Sequence, residues 1–113
     1  MCQKAFGNYM APLTGVRTGD LAWTRGTLAV FRSSDAVERG FCRDCGTPLT
    51  YRVLANDRIS VSIGSLDEPA RVTPKIQYGI QGLLPAFNEL HRLPARPTSE
   101  DYGKSSRQHP DHD

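Results

Sequence analysis

Along the middle of the chain, hydrophobic and polar residues alternate with a period of two, the mark of half-buried strands. Leu49, Tyr51 and Val53 alternate with Thr50 and Arg52, and Ile59, Val61 and Ile63 alternate with Ser60 and Ser62. The Leu54-Ala55-Asn56-Asp57 link between the two runs predicts a hairpin. Upstream, Leu21 to Thr24 and Leu28 to Arg32 flank Arg25-Gly26-Thr27 and predict a second hairpin, and Val37 to Phe41 predicts a further strand. Past Gly64 the alternation fades. Ser65-Leu66-Asp67-Glu68-Pro69 reads as a turn or one helical turn, Ile76 to Ile80 as one more strand, and Leu83-Leu84-Pro85-Ala86-Phe87 as an apolar segment that closes over the sheet. No stretch carries a sustained helical stripe. The pattern predicts a single, mostly β domain with short helical turns over residues 1–94. By composition, residues 95–113 are expected to form a disordered polar tail, in which Tyr102 is the only sizeable apolar side chain.

The strand at Val37 to Phe41 runs directly into Cys42-Arg43-Asp44-Cys45-Gly46. Two cysteines three apart, with glycine next, form a tight loop that points both sulfurs at one metal. Gly46 can take the positive φ that such a turn often requires. A structural zinc takes four ligands, and the chain has one further cysteine, Cys2. An odd number of cysteines fits reduced thiols, and the Met1 to Gly7 stretch lacks the apolar core of a secretion signal. The expected compartment is the cytoplasm, where Cys-x-x-Cys is a metal or redox pair rather than part of a disulfide framework. Ordinary buried thiols are the competing reading of Cys42 and Cys45, and a free oxidisable thiol that of Cys2.

Charge and composition narrow the partners. No apolar run approaches the roughly 18 residues that mark a membrane span. A formal charge of +2 is small, and Arg17, Arg25, Arg32, Arg39, Arg43, Arg52, Arg58 and Arg71 stand one at a time between other residues. That spacing argues against a nucleic-acid partner and predicts arginines on the solvent face of a sheet. Arg17, Arg39 and Lys4 are candidates for holding a ligand carboxylate, with solvated surface positions as the plainer alternative. His91 reads as a surface residue, His109 and His112 as a solvated His-x-x-His in the tail, and Trp23 and Tyr78 as core or rim aromatics.

Several phrases occur in an order that resembles one family. They are Cys2-Gln3-Lys4-Ala5-Phe6-Gly7, Trp23-Thr24-Arg25-Gly26, Phe31-Arg32-Ser33-Ser34, Arg39-Gly40-Phe41-Cys42-Arg43-Asp44-Cys45-Gly46-Thr47-Pro48-Leu49 and Gly64-Ser65-Leu66-Asp67. Over about residues 2 to 88 this set resembles the glutathione-dependent formaldehyde-activating enzyme family, also called the CENP-V/GFA domain. The resemblance implies a β-tent (Mss4-like) zinc fold and carbon–sulfur lyase chemistry on a small-molecule thiol such as glutathione, with formaldehyde or a similar aldehyde. It also implies two zinc sites. Cys42 and Cys45 match half of the structural one, and Cys2 matches the last cysteine of the catalytic cluster. The partners of all three are expected before residue 1, so the chain is expected to lack N-terminal strands and to carry incomplete zinc sites. No residue is picked out as a general base. A homodimer in which two copies of Cys42 and Cys45 form one four-thiolate site is a further expectation. A non-catalytic zinc-binding interaction module and an inactive fragment remain the alternatives to an enzyme.

Overall fold

A computed structural model describes residues 1–98 and 107–108. They fall into two compact units, Met1–Ile76 and a second that begins at Gln77. The first holds α1 (Cys2–Phe6) and five strands, β1 (Leu13–Arg17), β2 (Ala29–Arg32), β3 (Val37–Phe41), β4 (Pro48–Val53) and β5 (Arg58–Ser62). The strands make one antiparallel sheet in the order β1-β5-β4-β3-β2. The protein is therefore mostly β, as the alternating pattern predicts. The second unit contains 3₁₀ turns at Ile80–Gly82 and Pro85–Arg92, the latter including Leu84's apolar neighbours Ala86 and Phe87. No helix among the described residues is long and apolar enough to cross a membrane.

The hairpin of β4 and β5 and the strands β2 and β3 lie where periodicity places them. Two expectations differ, and one strand is unforeseen. Leu21 to Thr24 is irregular, and β2 pairs with β3 alone. The partner strand found in that part of the sequence is β1, which sits along β5 from Leu13↔Ser62 to Arg17↔Arg58. Gly15 interrupts its alternation and hides it from a periodicity reading. The glycine is nonetheless suited to the place, since Arg58 donates from Nη2 to the Gly15 carbonyl at 3.2 Å and a β-carbon would meet that guanidinium at 3.4 Å. Ile76 to Ile80 forms no strand; Gly79 takes φ 67° and opens a 3₁₀ turn instead. Most of the expected polar tail, including Tyr102, His109 and His112, lies outside the described residues.

The buried set is small and mixed. Val37 and Ile59 are the buried hydrophobic residues among those described, beside the polar Arg39, Thr50 and Ser62. Ser62 Oγ donates to the Pro48 carbonyl (2.8 Å) and lies 2.9 Å from Ser65 Oγ, and Thr50 Oγ1 accepts the Gly40 N–H at 3.1 Å. Those bonds offset the cost of removing hydroxyls from water. β2 and β1 are the outer strands, and β2 exposes Val30 and Phe31.

Gly40 is the tightest point of the sheet. A β-carbon there would run into Thr50 Oγ1 and come within 2.8 Å of Leu28 Cδ1. Gly40→Ala is therefore expected to destabilise the first unit by about 1–3 kcal/mol, through overpacking and loss of the Thr50 bond. In a thermal melt that corresponds to a fall of roughly 5 °C or more. Gly64→Ala, where nothing lies within 4 Å, is the control and should leave the midpoint nearly unmoved. Equal midpoints for both variants would contradict the packing argument.

Candidate functional site

The cysteine loop grows from an irregularity at the end of β3. Gly40 faces Thr50 in the ladder but Phe41 faces Pro48, so Leu49 is left between them as an extra residue on β4. Such a bulge bends the strand and re-aims the adjoining residues. The Cys42 N–H donates to the Thr47 carbonyl at 2.9 Å, and the Gly46 N–H returns to the Cys42 carbonyl at 2.8 Å. The closed turn ends on Gly46 at φ 76°, a conformation that glycine adopts without the steric penalty of a β-carbon. Cys42 is half-buried, Cys45 is exposed, and Cys45 Sγ lies 3.0 Å from Thr47 Oγ1. The loop between two strands and its positive-φ glycine are as the sequence predicts.

Cys2 is held elsewhere. It opens α1, a five-residue helix that ends on Gly7 in the left-handed conformation, and its Sγ accepts a hydrogen bond from Arg39 Nη2 at 3.4 Å. Arg39 sits in the middle of β3, opposite Phe31 of β2 and Tyr51 of β4. Its Nε donates to Ser33 Oγ at 3.2 Å, and its guanidinium carbon lies 5.0 Å from the centroid of the Tyr51 ring. This corrects the expectation of a solvent-facing arginine: Arg39 is 7% exposed. The signal was present in the strand period. Arg39 shares the parity of Val37, and with it the inward direction, while Glu38 between them turns the other way and pairs with Arg52 at 3.5 Å.

The other candidates of the first unit make no hydrogen bond or ion pair with the sulfurs of Cys2, Cys42 or Cys45, and those of the second unit are characterised by their exposure alone. Lys4 and Arg17 are exposed, and His91 is an exposed residue of the second unit. Trp23 is 49% exposed, as a rim aromatic would be, but Tyr78 at 87% belongs to neither core nor rim. The described residues contain no group of three or more His, Cys, Asp or Glu side chains able to hold a metal ion. A closed zinc site is a tetrahedron of four ligands. Cys42 and Cys45, two sulfurs on one turn, fit half of such a set, and the described residues do not complete it.

A family model described as glutathione-dependent formaldehyde-activating enzyme matches residues 1–81. No curated protein and no solved structure matches the chain. The matched span includes the whole sheet, all three cysteines and Arg39.

Two sulfurs hold zinc less firmly than four. After exposure to zinc the chain is expected to retain about one ion at most, and to lose it readily to a chelator. Cys42→Ser and Cys45→Ser should each abolish retention, and Cys2→Ser should leave it in place. Metal analysis and the thiolate absorption of a cobalt-substituted sample both read this. Two tightly held ions per chain would refute the half-site assignment.

Proposed function

The chain belongs to the glutathione-dependent formaldehyde-activating enzyme family, and from that premise we propose that it acts as a carbon–sulfur lyase on adducts of a small-molecule thiol with formaldehyde or a similar aldehyde. In the joining direction the thiol sulfur bonds to the carbonyl carbon, the C=O π pair moves to oxygen, and that oxygen takes a proton. With glutathione and formaldehyde the product is S-hydroxymethylglutathione. Cleavage is the reverse. The observation that carries this reading is the extent of the family match, whose span, residues 1–81, takes in both the Cys2 helix and the Cys42–Gly46 loop.

Within that reading Cys42 and Cys45 are two ligands of a structural zinc, and Cys2 stands at a ligand position of the catalytic zinc. The described residues do not complete either ligand set. Zinc at an open thiolate site favours the ionised form of a thiol bound to it. The contribution of this chain's own residues is positional: Arg39 Nη2 donates to the Cys2 sulfur at 3.4 Å and so keeps a cation beside it at the middle of β3. A zinc-binding interaction module without catalysis is the second reading, favoured by a metal loop that supplies two sulfurs and is exposed at Cys45.

The two readings separate in one measurement. Exchange between glutathione, formaldehyde and S-hydroxymethylglutathione, monitored by NMR, is expected to run faster with the zinc-treated protein than without it. Cys2→Ser should reduce the acceleration by about tenfold or more, in line with loss of a group that positions the reacting thiol. Zinc retention with no acceleration for glutathione or other small thiols would overturn the lyase reading and leave the interaction module.

A further inference from the structure

Among the described residues, three side-chain nitrogen or oxygen atoms are buried without a hydrogen-bond partner: Thr18 Oγ1, Arg52 Nε and Arg39 Nη1. Two have ordinary settings. Thr18 is half-buried at the end of β1, and Arg52 shares its charge with Glu38, both side chains reaching water. Arg39 is different. It is a buried cation, and no carboxylate among the described residues pairs with it. Its Nε is used on Ser33, its Nη2 on the Cys2 sulfur, its face on Tyr51, and its Nη1 on nothing. A thiol sulfur is a weak acceptor, and a buried charge without a counter-ion is costly. The geometric complement of a guanidinium whose Nη1 is free and whose Nη2 is lightly held is a carboxylate, which takes both in a fork.

We infer that Arg39 is a carboxylate-binding residue, and that its site receives the acid group of a small organic ligand beside the sulfur of Cys2. Tyr51 forms one wall through its ring, and Ser33 holds the guanidinium in orientation through Nε, leaving the Nη edge for the ligand. Access comes from α1. That helix is five residues long, contains no buried residue, and is far below the ~12–15 residues at which a helix stands alone. The Cys2 sulfur thus occupies the Nη2 donor loosely, and a carboxylate displaces it at the cost of one weak bond. That the ligand is the thiol of the lyase reaction rests on the function proposed above; the carboxylate site itself rests on Arg39 alone.

Iodoacetate and iodoacetamide test this directly. Both alkylate a thiol by the same displacement, in which the cysteine sulfur bonds to the CH2 carbon, iodide leaves and the thiol proton passes to water. Only iodoacetate carries a carboxylate. Labelling of Cys2 and Cys45 in the full chain is read in one sample by peptide mass mapping. The iodoacetate-to-iodoacetamide rate ratio is expected to be about tenfold higher at Cys2 than at Cys45, the size of one charge-assisted contact. Added succinate should slow iodoacetate at Cys2 and not at Cys45. Arg39→Gln should bring the Cys2 ratio down to that of Cys45, and Arg39→Lys, a point charge without the fork, should restore only part of it. Equal ratios at the two cysteines of the unaltered chain overturn the site, as does a Cys2 preference that survives Arg39→Gln. Should Arg39→Gln fail to fold, the ratio and the succinate protection, both measured on the unaltered chain, decide the matter. An intact Cys2 preference without thiol–aldehyde catalysis would overturn the lyase reading only; catalysis without the preference would overturn this one.

Discussion

The absent side chain at Gly40 is the constraint on which the rest of the first unit depends. It lets the Gly40 N–H reach Thr50 Oγ1 and lets Leu28 lie against the backbone of β3. With that contact made, β3 and β4 stay in register through Thr50 and shift only at the next residue. The bulge at that shift turns the chain into the Cys42 loop. One residue earlier in β3, Arg39 is carried into the interior. Both chemically interesting features are thus set by the close approach of two strands at a single point, within four residues of each other in sequence.

Strand β3 also shows how a sheet with few buried apolar side chains handles charge. Glu38 and Arg39 are neighbours on opposite faces. Glu38 meets Arg52 across the β3–β4 ladder, and the pair remains partly in water, where it costs little and contributes modestly. Arg39 is taken out of water and met by a hydroxyl, a sulfur and an aromatic ring, none of which carries a fixed negative charge. A fold selected for stability alone would gain from an apolar residue at this position. The retention of a cation there is what ties the interior of the sheet to ligand chemistry.

Much of this was legible in the sequence, and the parts that were not have identifiable causes. Leu49, Tyr51 and Val53 with Ile59 and Val61 spelled out the β4–β5 hairpin because each alternates cleanly. The Cys42–Gly46 loop was legible because turn closure and metal ligation ask for the same residues. β1 was not, because Gly15 breaks its pattern and its pairing with β5 is a tertiary fact. The strand expected at Leu21 to Thr24 fails for the converse reason: Leu21, Ala22 and Trp23 are apolar, but a four-residue stretch forms a strand only where it is paired, and these residues pair with nothing in the sheet. Arg39 was misread because composition places arginines outside, whereas its parity with Val37 places it inside. The meeting of Arg39 with Cys2, 37 residues apart, arises from no local rule.

The pairing of β1 with β5 has a kinetic side. β2, β3, β4 and β5 are joined in sequence by short links and form a meander whose contacts are local. β1 must close the long loop from Arg17 to Arg58 before its first bond to β5 repays it. Cys2 lies on the far side of β1 from that meander in sequence, so its approach to Arg39 carries the same closure entropy. The sheet can therefore be assembled in large part while the Cys2–Arg39 contact is still unmade, which makes that contact a reporter of the last stage of assembly rather than of the sheet as such.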